Sequence, residues 1–226
     1  MGLRVLVVED DVVNRRYLGE WLISHGHDCL LTATLSEAAE ALKRRRFDLC
    51  IADVHLGDGN GRNLAELMPQ HTRLVLMSGD PAEGEQRWLQ KPLSAHSLAL
   101  TLDGIPPTAG LADPLPPAHL PDLDDRAASN ALGAGISVLS GLRQLLCREL
   151  RQDRQRLSEP LDDAELATIQ ERLHRLVASS ALCGLPRLHS ASHHLHRLLQ
   201  TQQCHHAALA EWHEAAARAL GQIQDS

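Results

Sequence analysis

Aromatic residues are almost missing from this 226-residue chain, which has three Trp, one Tyr and one Phe. A core must therefore come from Leu, Ala, Val and Ile, and there is little from which to build the stacking platforms of a single-stranded nucleic-acid binder. Excess positive charge is missing too: 22 Lys and Arg face 29 Asp and Glu, a formal net charge of −7, which argues against a phosphate-backbone partner. The one short basic run, Arg44-Arg45-Arg46, reads as a solvated helix end rather than a DNA contact. No apolar run approaches the ~20 residues of a membrane helix, and the start lacks the charged region and apolar core of a signal peptide, so no membrane contact by this segment is expected. The five cysteines show no CxxC spacing and are odd in number, which excludes an obvious disulfide framework and fits a reducing cytoplasm.

What is present is a 43% hydrophobic fraction in two different patterns. Leu3–Val8 is an apolar run, broken only by Arg4 and rich in β-branched residues, the pattern of a strand buried on both faces, and it stops at Glu9-Asp10-Asp11. Helical spacing follows from Val13 to His25, closed by Gly26, then a second strand over Asp28–Thr32 and a helix from Ser36 to about Arg46. Further strands are expected at Asp48–Val54, Leu74–Ser78 and Arg87–Lys91, and a helix from about Ser94 to Leu102. Strands alternating with helices predict a five-stranded, doubly wound parallel sheet of the flavodoxin-like α/β class over residues 1–104. Prolines 106, 107, 114, 116, 117 and 121 then break regular structure and mark a linker over 105–126. From 127 to 226 the chain reads as helical, with stretches near 127–157, 162–183, 186–201 and 205–224, which short loops would fold into an antiparallel four-helix bundle.

In a parallel sheet, ligands bind where the strands end, and the strand ends here deliver Glu9, Asp10, Asp53, Ser78 and Lys91. Clustered carboxylates repel unless a cation offsets them, and an all-oxygen donor set suits Mg²⁺. Asp53 can attack a phosphoryl donor, Asp10 can ligate the metal, Lys91 can pair with a phosphoryl oxygen and Ser78 can donate a hydrogen bond.

These segments resemble the receiver domains of two-component response regulators: Val7-Val8-Glu9-Asp10-Asp11, Ala52-Asp53-Val54, Met77-Ser78-Gly79 and Lys91-Pro92 match its signatures in order. The resemblance implies that Asp53 is the phosphoacceptor, that Glu9, Asp10, Asp53 and the backbone carbonyl of His55 surround the metal, and that Lys91-Pro92 is a cis peptide. It also implies that Ser78 and Trp88 occupy the switch positions. Twelve residues separate Ser78 from Lys91, too few for the full helix the family places between its fourth and fifth strands, so that helix is expected to be reduced or missing.

The helical half carries Leu173-His174-Arg175-Leu176-Val177-Ala178-Ser179-Ser180 with Gly184 ten residues after the histidine. This resembles the histidine phosphotransfer (HPt) domain and implies that His174 is a phosphohistidine, with small neighbours Ala178 and Ser179 admitting a partner. Val177 stands where the family has Lys, and Ala178 where it has Gly. His189, His193, His194 and His196 crowd one later stretch; a solvated histidine-rich face is the favoured reading there, and a metal site the lesser one. Cys183 and Cys204 read as buried small apolar residues.

The combined expectation is a phosphorelay protein with no kinase module, whose Asp53 takes phosphoryl from a sensor histidine kinase and whose His174 exchanges it with the receiver of another regulator. Val12-Val13-Asn14-Arg15 resembles receivers attached to hybrid kinases. The alternative is a switch whose bundle binds a protein without being phosphorylated.

Overall fold

In the computed structural model the chain divides into two compact units, residues 1–110 and 111–226. The residues described are 2–79, 88–102, 120–133, 136–158, 163–201 and 205–224.

The first unit is built on a parallel sheet. Its strands are β1 (Arg4–Val8), β2 (Asp28–Thr32), β3 (Leu49–Asp53), β6 (Arg73–Ser78) and β7 (Trp88–Gln90), in the order β2-β1-β3-β6-β7. A small antiparallel pair, β4 (His55–Leu56) and β5 (Gly59–Asn60), and a 3₁₀ turn over Gly61–Glu66 follow β3. Central position explains composition: Val5, Leu6, Val7 and Val8 in β1 are all 0% exposed, and every residue of β3 is buried. The edge strand β2 leaves Leu31 partly open. Helix α1 (Val12–Ser24) starts where Asp11 accepts a hydrogen bond from the Asn14 amide, and it buries Tyr17, Leu18, Trp21 and Leu22. Helix α2 (Leu35–Arg44) is capped by Thr34, and Ala38 and Ala41 lie in the cluster with Leu6, Val8, Phe47, Cys50 and Leu64. Helix α3 (Ala95–Leu102) follows the cis Lys91-Pro92 bond expected from the sequence. The basic run only partly ends a helix: Arg45 is already extended, pairs with Asp28 and lies over the Phe47 ring. The expected loss of a helix between the last two strands falls on residues 80–87, outside the described set.

The second unit is helical: α4 (Asp125–Leu132), α5 (Ile136–Arg156), α6 (Asp163–Leu182), α7 (Pro186–Gln200) and α8 (His206–Gln224). The long first stretch read from sequence is in fact two helices. Gly133 takes a left-handed conformation with φ 59° and its N–H bonds to the Ser129 carbonyl, closing α4. Asp122 and Asp124, within the stretch expected as linker, are tied to this unit: Asp124 caps α4, and Asp122 pairs with Arg187 at 2.5 Å. Gly184, at φ 67°, turns α6 into α7; a Cβ there would lie 2.5 Å from the Asp124 carbonyl oxygen and 2.7 Å from Ala128 Cβ. The core is aliphatic around one aromatic, with Leu142, Leu146, Leu150, Leu173, Leu195 and Ala216 buried and Trp212 donating to Ser192 Oγ at 3.0 Å. Between α5 and α6, Arg172 is held by Asp153 at 2.9 Å and Glu149 at 2.8 Å. Prolines 106, 107, 114, 116 and 117 and Cys204 lie outside the described residues.

Candidate functional site

The C-terminal ends of β1, β3 and β6 and the residue after β7 bring the predicted residues together. Glu9 and Asp53 are fully buried, Ser78 is 1% exposed and Lys91 5%. The Lys91 ammonium reaches both carboxylates, 2.7 Å from Glu9 Oε2 and 2.7 Å from Asp53 Oδ2. Its backbone N–H donates to the Ser78 carbonyl at 2.7 Å, fixing β7 beside β6 at this edge. Asp10 is half-buried, and ligand oxygens of Glu9, Asp10 and Asp53 all lie within 4.8 Å of one another. Among the described residues this is the only group of three or more His, Cys, Asp or Glu side chains close enough to hold a metal ion.

The electrostatics fit a cation site. Three carboxylates meet one buried ammonium. Burial, working against the attraction of Lys91 and with the repulsion of Asp53 and Asp11, pushes the Glu9 carboxyl up to about 8. Burial would lower Lys91, but Glu9 and Asp53 outweigh it and hold the lysine proton more tightly than usual. The donor set is hard oxygen, so Glu9, Asp10 and Asp53 fit a Mg²⁺-like ion.

The backbone shapes the site as much as the side chains. The His55 N–H donates to Asp53 Oδ1 at 3.2 Å. Gly61 presses against the strand end so closely that a Cβ there would collide with the Asp53 carbonyl oxygen. Asp58 accepts from the Leu35 and Ser36 amides at 2.9 and 3.1 Å, pinning the loop after β3 to the start of α2. Trp88 is 9% exposed, and the Arg62 guanidinium lies 5.7 Å from its ring centre. Sequence reasoning gave no role to the side chains of Arg15, Asp58 or Arg62: Arg15 acts on nearby backbone carbonyls, and the partners of Asp58 and Arg62 lie more than twenty residues away.

The structure places His174 elsewhere, on α6 of the second unit. It is half-buried rather than exposed, its Nε2 is shielded from solvent, and its ring centre is 5.6 Å from that of His196 on α7. Leu173, Leu176, Ala178, Ser179 and Ser180 are buried, and the Ser180 hydroxyl donates to the Leu176 carbonyl at 2.5 Å. The histidines of α7 are less solvated than expected: His189, His193, His194 and His196 are half-buried because α7 packs between α6 and α8, with the His194 side chain still open at 40%. His189 Nδ1 lies 2.8 Å from the Val177 carbonyl, and burial lowers its pKa. Cys183 is fully buried, as expected.

Two family models match the chain one after the other. Residues 5–96 match the response regulator receiver domain family, and residues 141–226 match the Hpt domain family. The sensor protein GacS of Pseudomonas syringae pv. syringae is 24% identical over 231 residues, covering 89% of this chain and 25% of GacS. The sensor histidine kinase AruS of Pseudomonas aeruginosa is 28% identical over 210 residues, covering 83% of this chain and 20% of AruS. RcsC of Escherichia coli, another sensor histidine kinase, is 30% identical over 114 residues, covering 50% of this chain and 12% of RcsC. The chain thus spans a quarter or less of these relatives. Among solved structures, the chemotaxis regulator CheY4 of Vibrio cholerae shares 24% identity with a TM-score of 0.43, over 46% of this chain and 98% of CheY4.

Proposed function

Starting from a chain that joins a response regulator receiver domain to an Hpt domain, we propose that it is a phosphorelay segment in which Asp53 and His174 are the two phosphoryl acceptors. The observation that carries the first half is the meeting of Lys91, Glu9 and Asp10 at Asp53. An Asp53 carboxylate oxygen attacks the phosphorus of a phosphohistidine on a sensor kinase; the P–N bond breaks, the donor imidazole takes up a proton, and an acyl phosphate remains on Asp53. Glu9, Asp10, Asp53 and the His55 carbonyl would hold Mg²⁺, which when bound offsets the charge gathered as donor and acceptor meet. Lys91 pairs with a phosphoryl oxygen, and Ser78 on the neighbouring strand donates to another. In this reading Ser78 and Trp88 are the switch residues.

For the second half, His174 exchanges phosphoryl with an aspartate on a receiver, downstream in another regulator. The support is the Hpt match across α5–α8; Ala178 and Ser179, expected to admit a partner, are instead buried in the bundle, so the approach to His174 is by its other neighbours. We take the first domain as 1–104 and, in place of the expected start at 127, begin the helical domain at Asp122, whose pair with Arg187 precedes the Asp124 cap of α4; the site of action is the cytoplasm. No described helix is long and apolar enough to cross a membrane.

The test is Mg²⁺-dependent transfer from a phosphorylated donor to the intact chain, D53A and H174A. Base-labile label lost in D53A, and acid-labile label lost in H174A, are the expected results. Label confined to Asp53, with His174 silent toward several receivers, would replace the relay by a phosphorylation-controlled binding bundle.

A further inference from the structure

Glu9 and Asp10 are consecutive, and in a strand consecutive side chains point to opposite faces. Yet oxygens of both come within 4.8 Å of Asp53 and of each other. The chain must therefore leave strand geometry just after Val8, where the pairing of β1 with β3 ends at Val8 and Ala52. Such a turn carries the carbonyls of residues 9 and 10 beyond the ladder that would otherwise occupy them.

Arg15, half-buried on the first turn of α1, reaches back to both. Its Nη1 donates to the Glu9 carbonyl at 2.6 Å and to the Asp10 carbonyl at 3.0 Å. Other contacts hold the same short segment: the Glu9 N–H donates to the Thr32 carbonyl at 3.1 Å, and the Asp11 N–H to Glu9 Oε1 at 3.2 Å. The guanidinium is the part of this clamp that comes from a side chain and grips two adjacent carbonyls at once.

We propose that Arg15 is a positioning residue for the divalent-cation site, holding the turned Glu9–Asp10 backbone so that both carboxylates face Asp53. The inference rests on the reading of Glu9, Asp10 and Asp53 as the Mg²⁺ site. It opposes a simpler role for Arg15: a guanidinium so near the acids repels a second cation, so an arginine acting through charge alone would weaken Mg²⁺ binding and its removal would tighten it. Partners that orient metal ligands act in the other direction, and their loss typically weakens metal affinity ten- to a hundredfold.

The experiment is a MgCl₂ titration of the full chain followed in ¹H–¹⁵N spectra, comparing wild type, R15Q and R15K. R15Q, without the charge and the two-carbonyl grip, is expected to bind roughly tenfold more weakly, with R15K in between. Urea unfolding in EDTA shows whether each variant is folded, and should R15Q not fold, R15K decides. Phosphorylation by a small-molecule phosphodonor should fall short in R15Q at low Mg²⁺ and recover at saturating Mg²⁺, a split that a merely structural loss would not give. Equal or tighter Mg²⁺ binding in the folded variant overturns the proposal. Absence of any Mg²⁺ response near Glu9, Asp10 and Asp53 in the wild type would instead overturn the metal reading beneath it.

Discussion

Replacing Arg172 by Met should destabilise the helical unit by about 3 kcal/mol at neutral pH, the low end of what breaking a buried ion pair costs. Arg172 sits between α5 and α6 with side-chain exposures of 16% for itself, 6% for Asp153 and 26% for Glu149. Asp153 takes two contacts from its Nε, at 2.9 and 3.0 Å, so methionine would fill the volume and leave a buried carboxylate without them. Glu149 is open enough for water to take over, which keeps the expectation at the low end. In urea, with an m-value of about 1.5 kcal/mol/M, the midpoint should fall by about 2 M, read from the helical signal of the full chain. Burial already raises Asp153 above its ordinary 3.8, and Arg172 pulls the other way, so the variant should raise it further. A carboxyl whose folded pKa lies above its unfolded value binds its proton more tightly in the fold, so stability is lost as pH rises through that window. The gap between wild type and R172M should therefore be small below about pH 4 and widen toward neutrality. D153N in the R172M background should restore more than half of the loss. A cost under about 1 kcal/mol at pH 7, or a gap that does not change with pH, would show that the pair behaves as a solvated one and refute the reasoning.

Gly61→Ala should cost about 1–3 kcal/mol, as overpacking does, and slow phosphorylation of Asp53, because the new methyl meets that residue's carbonyl; wild-type rates and melting would show that the loop relaxes at no cost. At Gly184 both alanine and asparagine should lower the melting temperature, since the contact with the Asp124 carbonyl penalises either, whereas a tolerated asparagine would assign the position to its positive φ alone. Asp48 is held down at about 2 by hydrogen bonds and charge from Arg4, so its contribution is present above the unfolded value near 3.8 and lost as pH falls through 2. D48N should flatten the acid limb of a urea-midpoint profile between pH 5 and 2, and an unchanged limb would remove Arg4–Asp48 from the account of acid stability.

In the first unit the sequence was legible because its signals are local. Apolar runs marked β1, which ends one residue before Glu9, and β3, which ends at Asp53, and strand-end chemistry alone selected Glu9, Asp10, Asp53, Ser78 and Lys91. What could not be read was the support beneath them. Arg15 acts on carbonyls five and six residues away, and Asp58 on amides more than twenty residues earlier, through backbone atoms that leave no trace in residue type. Element ends moved by one or two residues for a similar reason: Thr34 rather than Ser36 caps α2, and both have the hydroxyl that the position asks for.

The second unit shows the opposite balance. Helical periodicity gave the four long helices but missed the break at Gly133, because a single glycine inside a periodic run can be tolerated, and only the left-handed conformation decides. Histidine count was misleading for a related reason. Imidazole is small and amphipathic enough to lie half-buried where a lysine would have to reach water, so His189 can turn Nδ1 to the Val177 carbonyl while its neighbours pack between helices. The same packing shields His174 Nε2, and it does so on the helix where Val177 stands in place of the family's lysine. In the proposed relay, charge and access are both reduced at one residue, so the rate of transfer to His174, far more than that to Asp53, is the measurement that tells how closely this unit keeps to the chemistry of its family.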